Sequence, residues 1–136
     1  MPNQMKIQLR QVSTSTSEAT LRNHQVLIDR PAAKGGADMG PMGGELFLAA
    51  IGGCFMSNLL AAIAGRQAAV SNVRSQVIGT LADSPTQFTA VEIHVTANSA
   101  NPELLESLVT IADRGCIMMN TLRGKLDVQV RIGVPA

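Results

Sequence analysis

The sequence predicts an α+β fold, and three observations carry this prediction. Strand-like alternation of apolar and polar residues occurs in several short segments. One long segment, residues 46–64, is almost wholly apolar, and a second, amphipathic helix follows Asn101. With 136 residues the chain is expected to form a single domain over residues 1–136, since about two thirds of the unfolded surface is buried at this size.

The amino-terminal part is expected to form strands and then a loop. Residues 5–12 alternate as a strand does, and residues 18–28 predict one or two more strands after a turn rich in serine and threonine. Residues 30–44 contain many glycines and prolines, which indicates an ordered loop. This loop leads directly into the long apolar segment.

The apolar segment is long enough to raise the alternative of a membrane span, because about 20 apolar residues cross a bilayer. The polar pair Ser57 and Asn58 near its middle, two glycines and many alanines argue against insertion. A soluble helix that is apolar all round must be buried on nearly all sides. One small domain can hardly surround such a helix, so we expect a homodimer in which a partner subunit covers part of it.

The second half predicts two strands, a helix and a last strand. Residues 70–81 and 88–97 read as strands joined by a turn at residues 82–85. Asn101 is an N-cap, and Pro102 and Glu103 suit the first turn of a helix. Gly115 interrupts this helix, and Cys116 is expected to begin a short further helical turn. Residues 125–134 alternate as an edge or half-exposed strand.

Composition excludes several classes of function. The 11 basic and 10 acidic residues give a net charge of +1 without a long like-charge run, so neither nucleic acid nor an anionic membrane is an expected partner. Only three aromatic residues, all phenylalanine, are present, which removes base-stacking surfaces. The amino terminus lacks the pattern of a secretory signal, and a cytoplasmic location is expected.

Cys54, inside the apolar segment, and Cys116, just after the second helix, are the candidate functional residues. A free cysteine is often only a small buried hydrophobic residue. However, Gly52 and Gly53 precede Cys54 and weaken the helix by roughly 1 kcal/mol each, which is reasonable where a backbone or ligand approaches closely. In a reducing compartment two cysteines are more often reactive, metal-binding or structural than a permanent disulfide.

No cofactor or metal site is expected from the sequence. His24 and His94 have no short spacing to either cysteine, and no Cys-x-x-Cys motif occurs. Both histidines are interpreted as surface residues of strands. If the fold brings Cys54 and Cys116 together, the chain has a thiol pair for redox chemistry.

The chain resembles the OsmC/Ohr family of thiol-dependent peroxide-reducing proteins, and the resemblance covers nearly its whole length. The matching pieces are Ile-Asp-Arg-Pro at residues 28–31, the glycines of the following loop, Glu-Leu-Phe-Leu-Ala-Ala-Ile-Gly-Gly-Cys at 45–54, and Ala-Asp-Arg-Gly-Cys at 112–116 with Asn-Thr-Leu at 120–122. Its pattern is most similar to the less characterised OsmC-like branch. The resemblance implies two antiparallel sheets, a long buried central helix, a second helix and an intertwined homodimer.

The resemblance also implies a reaction. Cys54 would be the peroxidatic thiol and Cys116 the resolving one, so that a hydroperoxide oxidises Cys54 to a sulfenic acid, which Cys116 condenses to a disulfide. A dithiol, typically a dihydrolipoyl group in this family, would then reduce the pair.

A cysteine in mid-helix lacks the positive pole of its own helix, and burial raises its pKa, so a nearby cation is expected. Members of the family use an arginine held by a glutamate. Arg30 is the favoured candidate, ahead of Arg22 and Lys34, and Glu45 is the candidate glutamate. One departure is that Gly44 occupies the position of the family glutamate, so Glu45 could instead cap the helix.

Three hypotheses about function follow. The first is reduction of organic hydroperoxides, favoured by apolar residues that could surround the thiols: Phe47, Phe55, Met56, Met118 and Met119. Plain core packing is the other interpretation of these residues. The second is related thiol chemistry on another small electrophile or disulfide. The third is a non-enzymatic, ligand-binding or structural dimer with inert thiols.

Overall fold

The computed structural model describes residues 3–134. The first two and last two residues of the expected 1–136 domain lie outside that range. Two compact units divide between Phe47 and Leu48. The elements in chain order are β1 Gln8–Gln11, β2 Ser17–Leu21, β3 His24–Ile28, a 3₁₀ helix Ala32–Lys34, α1 Gly43–Gly65, β4 Val70–Ala82, β5 Gln87–Ser99, α2 Pro102–Gly115, α3 Ile117–Leu122 and β6 Asp127–Ile132.

These elements confirm the α+β class and the order of strands and helices expected from the sequence. Residues 18–28 hold two strands rather than one, and α1 begins slightly earlier than residue 46. The single domain stays a prediction, because compactness within each unit does not decide whether the two fold together.

The first unit contains an antiparallel sheet in the order β1-β2-β3. In its register Arg10 lies opposite Glu18, and the Arg10 guanidinium contacts the Glu18 carboxylate at 3.2 Å. Exposed pairs of this kind stabilise a protein little. The stability of the sheet depends more on the backbone hydrogen bonds between its strands. In this pairing β2 is the central strand, and it carries the buried Ala19.

The loop after β3 is ordered by the carboxylate of Asp29, whose side chain is almost fully buried. One oxygen accepts a hydrogen bond from the Arg30 backbone N–H at 2.7 Å. The other accepts from the Thr16 hydroxyl at 2.8 Å and from the backbone N–H groups of Ala37 and Met39, each at 3.2 Å. Gly36 is required where the loop folds back, because a Cβ there would overlap the carbonyl group of Arg30.

We expect Asp29 to make the stability of the first unit depend on pH. Burial tends to raise the pKa of this carboxyl group, but the hydrogen bonds from Thr16, Arg30 and Met39 outweigh it and lower the pKa from 3.8 to about 2. A group with a lowered folded pKa stabilises the protein above its unfolded pKa, and this stabilisation is lost as the pH falls from 3.8 to about 2.

Thermal unfolding at several pH values tests this expectation. Asp29→Asn should lower the melting temperature by several degrees at neutral pH, since it replaces an acceptor of four hydrogen bonds. It should also reduce the fall in melting temperature that the wild type shows as the pH is lowered into the acid range. Asp38→Asn, an exposed position in the same loop, is the matched control and should behave like the wild type. If the melting temperatures of both variants fall equally at acid pH, Asp29 is not the source of the pH dependence.

The second unit contains a sheet in the order β4-β5-β6. The long strands β4 and β5 form an antiparallel hairpin, but β6 pairs with β5 in parallel. This second sheet is therefore mixed, and the expectation of two antiparallel sheets was wrong for it. Along β5 the side chains of Val91, Ile93 and Val95 are fully buried. Since successive side chains of a strand point to opposite faces, Glu92 and His94 belong to the other face.

Helices α1 and α2 contribute the rest of this core. The buried residues of α1 recur at helical spacing: Ile51, Gly52, Phe55, Leu59 and Ala62. Gly52 is where α1 approaches β4, because a Cβ there would lie 2.5 Å from a methyl carbon of Val77. The sequence predicted a close approach at the glycine pair, and the structure confirms it for Gly52. It does not do so for Gly53, where an added Cβ would meet open space.

Helix α2 is amphipathic and begins at a regular cap. The Asn101 side-chain oxygen accepts from the backbone N–H groups of Glu103 at 3.1 Å and Leu104 at 3.2 Å, as the sequence predicted. Its buried face holds Leu105, Leu108, Val109 and Ala112. The helix therefore leads the chain from the core to Cys116, where it stops.

Much of α1 is left uncovered by residues 3–134. By length and composition this helix could cross a membrane, but a core helix of a soluble protein passes the same test, and 28% of its most apolar window is buried. The exposed residues also recur at helical spacing: Ala49, Gly53, Ser57, Leu60 and Ala64. A second apolar surface is therefore needed to cover this face.

Candidate functional site

The fold brings the two cysteines close together within the second unit. Cys54 lies in the middle of α1 and is half-buried, whereas Cys116 is fully buried at the point where α2 ends and α3 begins. Both are free thiols, and the Cys116 thiol is close enough to interact with the Cys54 sulfur by hydrogen bonding. Two thiols that lie far apart in the sequence, at positions 54 and 116, thus share one site.

The pKa of Cys54 is lowered from its ordinary value. Burial by itself raises this pKa, but hydrogen bonds from the backbone N–H of Met118, the Cys116 thiol and the backbone N–H of Ile117 outweigh burial. These backbone groups belong to the first turn of α3, where N–H groups have no partner within the helix. The thiolate of Cys54 is therefore stabilised by unpaired amide donors.

Sequence reasoning missed this source of stabilisation. It noted correctly that Cys54 lies far from the start of its own helix and concluded that a cation must face the thiol. The start of another helix faces it as well, and the cation stays a prediction. The available signal was the break at Gly115, which ends α2 and turns the next amides towards α1.

The pKa of Cys116 is raised, first by burial and further by its position beside the Cys54 sulfur, although the Met119 backbone N–H partly offsets this. The two thiols are thus unequal. Cys54 ionises first and is the more accessible, so it is the better nucleophile, and Cys116 remains a protonated neighbour.

Asn58 lies one helical turn beyond Cys54 and faces the same site. Its side-chain amide donates a hydrogen bond to the Cys54 carbonyl oxygen at 3.0 Å, and the same nitrogen lies 3.9 Å from the Cys54 sulfur. Gly115 lies beside Asn58, since a Cβ at that residue would be in ordinary contact with the Asn58 side-chain oxygen, at 3.6 Å. Asn58 therefore offers the Cys54 sulfur a weak additional donor, a role that the sequence did not suggest.

The other predicted site residues lie in the first unit. Arg30 is exposed and directly follows β3, Lys34 ends the 3₁₀ helix, and Arg22 lies in the turn between β2 and β3 rather than in a strand. Which of these cations acts on Cys54, with Arg30 favoured, stays a prediction.

Glu45 has an identified partner at the start of α1. Its carboxylate accepts a hydrogen bond from the Met42 backbone N–H at 2.8 Å, which is the reach-back contact of a capping box. This is the capping role that the sequence offered as the alternative for Glu45. The carboxylate is thus occupied with an N-terminal amide, and its role in holding an arginine stays a prediction.

The histidines differ from each other. His24 is exposed at the start of β3, as expected. The expectation for His94 was wrong: it lies in β5 but is only 8% exposed, and its ring pairs with Glu92 at 3.0 Å. Within residues 3–134, histidine, cysteine, aspartate and glutamate form no group of three that could hold a metal ion.

The family of the chain follows from its sequence. A family model described as OsmC-like protein matches residues 35–131, which is most of the chain and includes both cysteines. The chain belongs to the OsmC-like family. None of the curated proteins with which it was compared matches it.

Solved structures of this family have the same fold. An OsmC-like protein from Mycoplasma pneumoniae is 17% identical with a TM-score of 0.83, and the match covers 100% of both chains. An organic hydroperoxide resistance protein OsmC from Legionella pneumophila is 21% identical with a TM-score of 0.74, covering 97% of this chain and 98% of that one. The organic hydroperoxide resistance protein OhrB of Bacillus subtilis is 22% identical with a TM-score of 0.68, covering 96% and 98%.

Proposed function

We propose that this OsmC-like protein reduces organic hydroperoxides through the pair Cys54 and Cys116. The observation that carries the proposal is the unequal thiol pair: a half-buried Cys54 with a lowered pKa beside a buried Cys116 with a raised pKa. Structural neighbours named organic hydroperoxide resistance proteins support the substrate class.

The proposed reaction has three steps. The Cys54 thiolate attacks one oxygen of the hydroperoxide, the O–O bond breaks, and the alkoxide takes a proton to leave as an alcohol, so that Cys54 becomes a sulfenic acid. The Cys116 sulfur then attacks the Cys54 sulfur, a disulfide forms and water leaves. A small dithiol, of the lipoyl type expected from the resemblance, reduces this disulfide by two thiol–disulfide exchanges and is itself oxidised.

An apolar substrate is favoured by the surface beside the thiols. Ile117 is 68% exposed directly after Cys116, and Met56 and Met118 are half-buried nearby in sequence. Two other residues expected to line a pocket, Phe55 and Met119, are instead buried in the core. The exposed apolar residues suit the alkyl group of an organic hydroperoxide better than hydrogen peroxide.

A second function, thiol chemistry on another small electrophile, is favoured by one observation. Glu45 is engaged with the Met42 backbone N–H, and Gly44 stands where the family glutamate is expected, so the arginine clamp of the peroxidases has no established counterpart. A purely structural role for both thiols is less well supported, because an inert buried thiol would have a raised pKa.

Steady-state peroxide consumption tests the proposed function. With dihydrolipoamide as the reductant, cumene hydroperoxide should be consumed much faster than hydrogen peroxide, and a monothiol such as glutathione should support little turnover. No consumption of either peroxide, together with rapid alkylation of Cys54, would favour the second function. A cytoplasmic location, which would keep both thiols reduced between turnovers, is part of the proposal.

We further propose that the protein acts as a homodimer in which the exposed face of α1 packs against a second copy. This face is uncharged and continuous with the site: Ala49, Gly53, Ser57, Leu60 and Ala64. Its small residues allow two helices to approach closely. A second copy would then bury the helix that one chain leaves uncovered and would enclose Cys54.

Replacing Leu60, which is 50% exposed on α1, with aspartate should convert the dimer to a monomer, because a carboxylate would be buried unpaired in the interface. Sedimentation equilibrium measures the change. Ile111→Asp, at an exposed apolar position of α2, is the control and should remain dimeric. A wild-type protein that sediments as a monomer at all concentrations would refute the dimer, and partition into detergent micelles would favour a membrane-bound α1.

A further inference from the structure

A small, open cavity with both polar and apolar lining lies on the β4-β5-β6 sheet. Its volume is about 130 Å³, and its lining includes Arg74, Ser75, Gln76, His94, Thr96 and Gly133. By the same measure one water molecule needs about 10–15 Å³, so this volume suits an ion of several heavy atoms.

The cavity faces away from the thiols. In β4, Val77 packs against Gly52 of α1, and neighbouring side chains of a strand alternate between faces. Gln76 and Arg74 therefore point to the sheet face opposite α1. The cavity is a different place in the molecule from the thiol site of Cys54, although both belong to the second unit.

The strand register places its polar residues together. Arg74 lies opposite Thr96 and Gln76 opposite His94 across β4 and β5. His94 in turn lies opposite Arg131 across β5 and β6. Side chains directly opposite each other in a sheet have Cβ atoms about 5 Å apart. These residues therefore form one compact block of hydrogen-bond donors at the end of β6.

The charges in this block do not cancel. The Glu92 carboxylate contacts His94 at 3.0 Å and Arg131 at 3.8 Å, and the hydrogen bond from His94 lowers the Glu92 pKa, so that this group stays ionised. Glu92 thus balances Arg131. The Arg74 guanidinium makes no hydrogen bond or ion pair with any residue in the part of the chain that the structure describes.

We propose that this cavity binds a small oxyanion, either a phosphate or a carboxylate group. Arg74 supplies the charge and a planar fork that matches such groups. Gln76 and Thr96 supply neutral donors, and the buried His94, held by Glu92, fixes the wall of the cavity.

Titration of the ¹⁵N-labelled protein tests the proposal. Inorganic phosphate and acetate are added separately at constant ionic strength maintained with sodium chloride, and amide shifts are followed. We expect saturable shifts at Thr96 and Gly133 with at least one of the two probes. Saturation by phosphate alone identifies a phosphoryl site, and saturation by acetate alone identifies a carboxylate site.

Arg74→Gln should weaken this binding by roughly tenfold or more, the loss expected for a charge-assisted hydrogen bond. Thr96→Val should weaken it less. Arg66→Gln, which removes the same charge from an exposed position after α1, is the matched control and should bind as the wild type does. Shifts that fail to saturate, or that change equally in the Arg74 and Arg66 variants, would show non-specific screening and overturn the proposal.

Discussion

Cys54→Ser is expected to abolish the consumption of organic hydroperoxide, because a serine hydroxyl is not ionised at neutral pH and cannot attack the O–O bond as a thiolate does. The residual rate should equal that of the reductant alone. Peroxide consumption measured by a colorimetric assay is sufficient, with thermal unfolding as a check that the variant folds. Turnover that survives in this variant would refute the assignment of Cys54.

Cys116→Ser should fail at a later step. A single equivalent of hydroperoxide should oxidise Cys54, but without Cys116 the product should remain a sulfenic acid, seen as the gain of one oxygen and as a dimedone adduct. Turnover with a dithiol should fall greatly, because reduction would then depend on direct attack on the sulfenic acid. If Cys116→Ser loses the first oxidation as completely as Cys54→Ser does, Cys54 is not the thiol that attacks the peroxide on its own, and the proposed roles are contradicted.

Ile117→Pro is expected to raise the pKa of Cys54 and slow its reaction several-fold, since proline lacks the backbone N–H that stabilises the thiolate. The position tolerates proline structurally. Ile117 is the first residue of α3, where proline is favoured, and Cys116 before it has φ −80° and ψ 122°, which suits a residue preceding proline.

Ile117→Ala is the matched control, because it keeps the N–H and removes a side chain that is 68% exposed. The rate of Cys54 alkylation by iodoacetamide, measured against pH, gives the thiol pKa in each variant. We expect the curve of the proline variant alone to move to higher pH. If proline and alanine variants have the same curve as the wild type, the Ile117 amide does not activate Cys54, and Arg30→Ala becomes the next variant to test.

Most of the secondary structure could be predicted from the sequence, because it depends on features of neighbouring residues. The alternation of β5 and β6, the cap at Asn101 and the break at Gly115 each depend on nearby residues, and each is found in the structure. The long helix was equally clear from its composition, whereas the partner subunit expected to cover it stays a prediction. The parallel pairing of β6 with β5 was not deduced, since strand partners depend on tertiary arrangement.

The candidate site was only partly predictable. The sequence singled out Cys54 and Cys116, but it looked for the stabilising charge among side chains, whereas the backbone of Ile117 and Met118 supplies donors. Backbone donors have no residue type, so the sequence marked them only indirectly, through the break at Gly115. The prediction that His94 is exposed failed because burial also depends on neighbouring strands. Alternation puts His94 on the outer face of the sheet, but there it pairs with Glu92, which also contacts Arg131 of β6.

The most direct test of the account is the stoichiometric oxidation of the fully reduced wild-type protein by an organic hydroperoxide, followed by intact-mass analysis and peptide mapping. The account predicts rapid loss of two hydrogens and one disulfide linking Cys54 to Cys116. A protein that stays fully reduced under excess hydroperoxide, or that gains oxygen at Cys54 without ever forming this disulfide, would contradict it.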